Sequence, residues 1–72
     1  MPTYNGHKNW NHWNVSLWLF NDEWLYKTIV RAVRSYDTKD GAARRILDLI
    51  PSHTPDGAPY SYSSVRAALV GL

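Results

Sequence analysis

Apolar and polar positions repeat most regularly between residues 21 and 36. Leu25, Ile29, Val33 and Tyr36 recur at i, i+4, i+8 and i+11 with Ala32 beside them, while Lys27, Arg31 and Arg34 fall almost opposite. That period predicts an amphipathic helix. Asn21 is placed to cap it, and Asp22 and Glu23 then occupy a first turn, where negative charge suits the helix dipole. Trp24 falls outside the apolar face, nearer the basic side. Upstream, residues 10–20 are apolar nearly all round. Trp10, Trp13, Leu17 and Phe20 share one stripe, and Val15, Trp18 and Leu19 spread over the other side. Asn14 lies on one edge, with His12 and Ser16 on another. A helix of that kind is either central to a core or covered by a second chain. Asn9 or Asn11 can cap it.

A third helix is expected over residues 41–50, capped by Thr38 or Asp40 and stopped by Pro51. Ala42, Ala43, Ile46, Leu47, Leu49 and Ile50 give it a broad apolar side, and its alanines allow close approach to a neighbour. Residues 51–59 hold three prolines and a Pro-Asp-Gly turn, which predicts a structured loop. Ser61 or Ser63 can then open a last short helix through Val65, Ala68, Leu69 and Leu72. Residues 1–9 carry the turn dipeptide Asn5-Gly6 and no period. They are expected to form an extended arm, or a short strand over residues 2–8, laid on the helices. No β-period appears elsewhere. The pattern predicts an all-α fold of three to four short helices in one small domain over residues 1–72, with an N-terminal arm.

Composition sharpens this picture. The 72 residues include four Trp, five Tyr and one Phe but no Cys, so no disulfide is available and the core must come from side-chain burial. Most of the tryptophans are therefore expected to be structural, Trp13 and Trp18 above all. The first residues lack the apolar run of a signal peptide, and the run Val15–Phe20 is far short of a membrane span. The absence of cysteine suits a reducing cytoplasm. A net charge of +2 is too small to mark a nucleic-acid binder by itself.

Candidate chemistry is sparse. The serines have no nucleophile-elbow context, the four glycines are too dispersed for a phosphate cradle, and His7, His12 and His53 have no metal-ligand spacing. No catalytic, cofactor or metal site is expected, and the protein is not expected to be an enzyme. Two surface features remain. Lys27, Arg31 and Arg34 share a helix face, and Arg44 and Arg45 open the next helix, so five cations could meet DNA or RNA phosphates. The plainer alternative is a solvated face with a Glu23–Lys27 pair at i, i+4. The second feature is Trp interleaved with Asn11, Asn14 and Asn21, either a binding surface or a set of backbone locks. Trp24 is the best single partner-facing aromatic.

The run Tyr4-Asn5-Gly6, Asn9-Trp10, Trp13-Asn14-Val15-Ser16-Leu17-Trp18, Asn21-Asp22-Glu23 and Leu25-Tyr26 resembles a group of small uncharacterised proteins of phages, prophages and plasmids. Their pattern runs Y-N-G-x-x-N-[YW]-x-T-W-N-V-x-L-W-[IL]-x-N-D-E-G-L-Y and matches the first third of this chain. His12 stands where that pattern has Thr, and Trp24 where it has Gly. The resemblance implies no catalytic site. It implies a mobile-element context, in which short accessory proteins often block a host process such as a CRISPR or restriction complex. The expected function is thus non-enzymatic inhibition of a host protein in the bacterial cytoplasm. The expected contact surface comprises Trp24, Lys27, Arg31 and Arg34. The alternatives are a nucleic-acid module that adds Arg44 and Arg45, and a homo-oligomer joined through the first helix.

Overall fold

A computed structural model describes residues 9–70 and 72. It contains helices α1 (Trp10–Asn21), α2 (Glu23–Ser35), α3 (Lys39–Leu49) and α4 (Tyr62–Ala68). Among the described residues there is no strand, only an isolated bridge between His53 and Pro59. The expected N-terminal arm, and His7 with it, lies outside the described residues.

Short polar side chains set each helix start. The Asn9 side chain accepts from the His12 amide, Thr38 from that of Gly41, and Ser61 from that of Ser64. At α2 the cap is Asp22, which accepts from the Leu25 amide at 2.9 Å. Asn21, expected to cap α2, instead ends α1 and donates its amide to the Leu17 carbonyl. The two residues are both good caps. Asp22 takes the role because it alone has extended backbone and can face the first free amides of α2. The third helix begins at Lys39, two residues earlier than expected, since Thr38 leaves Gly41 inside the first turn.

Helix α1 packs on α4 and α2, α2 on α3, and α3 on α4, so the four helices close a ring. Their shared core holds Val15 and Leu19 of α1, Leu25, Ile29 and Ala32 of α2, Ala42, Ala43 and Ile46 of α3, and Val65, Ala68 and Leu69 at the C-terminal end. The amphipathic pattern of α2 points inward as expected, with Val33 half-buried and Tyr36 left exposed at its C-cap.

Helix α1 forms over the expected residues, and the structure selects the inward side that its sequence left open. Its Trp10, Leu17 and Phe20 stripe faces out, and the core side is Asn14, Val15 and Leu19. None of the four tryptophans is fully buried; Trp13 and Trp18 are half-buried, with Trp18 packed against the core, and Trp10 and Trp24 are exposed. The inward side of α1 meets α4 and α2, and the loop before α4 supplies the partner of Asn14. The loop over residues 51–60 folds back on itself through Thr54 N–H to Ala58 C=O and Tyr60 N–H to Ser52 C=O. Gly57 turns it with φ of +94°, a conformation that side chains other than glycine's strain to adopt.

No described helix is long and apolar enough to cross a membrane.

Candidate partner-binding surface

Leu25 points into the core, so Trp24, about 100° earlier around α2, is turned outward. It is 57% exposed, and its indole N–H has no hydrogen-bond partner among the described residues. An aromatic so placed contributes little to the fold. Lys27, one turn on, is tied to Glu23 by a 2.9 Å ion pair between two well-exposed side chains. Such an exposed i, i+4 pair is worth only about 0.3–0.5 kcal/mol.

The five cations do not form one stripe. Lys27, Arg31 and Arg34 border a shallow groove with Tyr26 and Val30. Arg31 also borders a second concavity, between α2 and α3, which it shares with Trp24, Tyr36, Arg45 and Leu49. Arg34 instead continues toward Val33 and Leu72. Arg44 and Arg45 diverge because consecutive helical positions differ by about 100°. The Arg44 guanidinium lies 5.7 Å from the centre of the Tyr62 ring, on the α4 side, while Arg45 turns toward α2. Of the sequence-derived contact residues, the structure therefore joins Trp24, Arg31 and Arg45 at one concavity, places Lys27 and Arg34 with Arg31 on an adjoining groove, and sets only Arg44 apart.

The feature missing from the sequence analysis is a carboxylate hub. Asp56, in the loop, accepts hydrogen bonds from the Asn14 side-chain amide at 2.8 Å and the Trp18 indole N–H at 2.9 Å. The Asn14 carbonyl accepts from the Thr54 hydroxyl at 2.6 Å, and Thr54 in turn accepts from the Ala58 amide at 3.0 Å. The Trp/Asn interleaving is thus partly a lock that holds the Pro-rich loop on α1. Its sequence signal was there, in an Asn and a Trp four residues apart on one helix face, but the acceptor lies far along the chain. His12 adds a second tie, its Nε2 lying 3.1 Å from the Ser63 hydroxyl of α4. Among the described residues no group of three His, Cys, Asp or Glu is gathered as for a metal ion.

The two donors from Asn14 and Trp18 hold the Asp56 carboxyl below its ordinary value of 3.8. The Arg66 guanidinium, then the Tyr62 hydroxyl, do the same for Asp40. A carboxylate whose folded pKa is depressed stabilises the fold above its ordinary pKa and loses that contribution as pH falls through the folded value. The melting temperature should therefore decline as the pH falls below the ordinary carboxyl value of 3.8. Asp56→Asn should melt lower at neutral pH and decline less steeply over that window. Circular dichroism melts of both proteins check this; parallel curves would contradict it.

A family model matches residues 1–69, and its description is a family of unknown function (DUF7249). No curated protein and no solved structure matches the chain.

Proposed function

This chain belongs to the family of unknown function DUF7249, and we propose that it is a non-catalytic binding protein that acts by covering a surface of a partner protein. One observation carries this reading: the outward indole of Trp24, with its N–H unbonded, sits where Arg31, Tyr36 and Leu49 converge. Aromatic and arginine side chains dominate the energetic centres of protein interfaces. Here they are displayed on two packed helices, so little ordering is needed on binding. The resemblance of residues 4–26 to small phage, prophage and plasmid proteins suggests a mobile-element origin. It favours a host defence complex, of the CRISPR or restriction kind, as the target in the bacterial cytoplasm. The basic groove of Lys27, Arg31 and Arg34 extends the same face.

Trp24→Ala tests the reading. The variant should keep its helical circular dichroism and lose no more than about 0.5 kcal/mol of stability, as exposed positions do. Capture of a partner from host lysate, identified by mass spectrometry and then titrated as a purified pair, should weaken by roughly 30-fold, the loss typical of an interface centre. Unchanged affinity, or a large drop in melting temperature, would refute it.

A further inference from the structure

We propose that the concavity between α2 and α3 receives an acidic protein segment bearing an apolar side chain among its carboxylates. Arg31 and Arg45 would bind the carboxylates, and Trp24, Tyr36 and Leu49 would enclose the apolar group. The inference rests on the reading of this chain as a binding protein and goes further by fixing the chemistry of its partner.

The charge around the concavity is one-sided. Arg31 comes from α2 and Arg45 from α3, and none of the residues lining the space is a carboxylate. The ion pairs among the described residues are Lys27 with Glu23 and Arg66 with Asp40, so both of these guanidiniums are without one. Neutral polar competition is weak as well. The hydroxyls of Thr28 and Ser35, which also border the space, donate to the Trp24 and Arg31 carbonyls of their own helix at 2.8 Å each. A carboxylate entering here would meet two planar forks that suit it bidentately.

Between the cations the walls are apolar. Trp24 is 57% exposed, and Tyr36 and Leu49 are each 43% exposed, over a floor at the buried Ala32. Tyr36 is fixed by the corner it occupies. A Cβ on Gly41 would meet its Cδ1 at 3.3 Å, so the ring lies close over the first turn of α3. A rigid apolar slot between two unpaired arginines calls for alternating acidic and apolar side chains. It fits duplex DNA poorly, because phosphate binding gains from many spread contacts and Arg44 is turned to the far side, against Tyr62.

The test is an NMR titration of the full-length, nitrogen-labelled chain with a capped peptide of alternating glutamate and leucine. Its lysine-for-glutamate counterpart and a short DNA duplex serve as comparisons. The glutamate peptide should shift the Trp24 indole and the amides of Ala32, Tyr36 and Leu49. Arg31→Glu and Arg45→Glu should each weaken it by about tenfold, the size expected for a close charge pair. The doubly reversed variant should prefer the lysine peptide. Arg44→Glu makes the same net-charge change outside the concavity and should leave peptide affinity within about twofold, since distant sites act independently. No shift, shifts centred on Lys27 and Arg34, or equal loss with Arg44→Glu would overturn the proposal. So would tighter binding of the duplex at the same residues. If partner capture still depends on Trp24 while the doubly reversed variant captures normally, the acidic-segment inference fails and the binding reading stands. If capture is indifferent to Trp24, both fail.

Discussion

Asn14→Ala should lower stability by about 2–3 kcal/mol, because a buried hydrogen-bonding group is removed and its partners are stranded. For a chain of this length that corresponds to a fall of roughly 10–20 °C in melting temperature. Asn14 is 1% exposed and links α1 to the loop through both ends of its amide. Truncation leaves the buried Thr54 hydroxyl without its acceptor and leaves Asp56 with the Trp18 bond alone. Asn14→Asp keeps the shape but turns a donor into a carboxylate facing Asp56. The new pair shares a site, so its folded pKa is raised, and the variant should gain stability on mild acidification where the wild type does not. Thermal melts across pH measure both effects. A loss below about 1 kcal/mol for the alanine variant would show that the network contributes no more than an ordinary surface hydrogen bond.

Ile46→Ala is expected to cost about 3–5 kcal/mol, the upper part of the range for a large core side chain cut to alanine. Total stability for a chain this short is about 4–11 kcal/mol, so the variant approaches the limit of folding. The severity follows from what α3 offers. Its other fully buried side chains are Ala42 and Ala43, so Ile46 is the one large side chain it drives wholly into the core. The small neighbours cannot close over the space it leaves. Ile46→Val, which deletes one methyl group, should cost about 1 kcal/mol. Urea unfolding separates the two. Losing α3 would also remove Arg45 and Leu49 from the concavity, so partner affinity should fall with the folded fraction and not beforehand.

Helix α2 was legible because its apolar spacing follows one period, so that the inward Leu25, Ile29 and Ala32 and the outward Trp24 could all be placed by angle. The caps Asn9, Thr38 and Ser61 were legible to within two candidates each, because their chemistry is local. The inward face of helix α1 was not. A helix apolar on every side has no preferred direction in its own sequence, and its cover includes α4 and a loop residue 40 positions on that bonds Asn14. Periodicity placed Asn14 at a polar edge because it weighs side chains one at a time and cannot see a hydroxyl brought in from elsewhere. The contact surface was half legible for the same reason. Trp24 and Arg31 share one helix, whereas Arg45 joins them only through the packing of α3 on α2. Reading Arg44 and Arg45 as a pair from their adjacency ignored the turn of the helix between them.

The closed ring of helices has a consequence for synthesis. Because α1 finds its inner cover in α4 and in the loop before it, a growing chain cannot finish this interior until α4 has left the ribosome. Helix α1, which carries three of the four indoles, meets α2 early but waits through α2 and α3 for α4. A stalled or shortened product should therefore be a client for chaperones and proteases, while the α2–α3 pair, adjacent in the chain, can assemble during the wait.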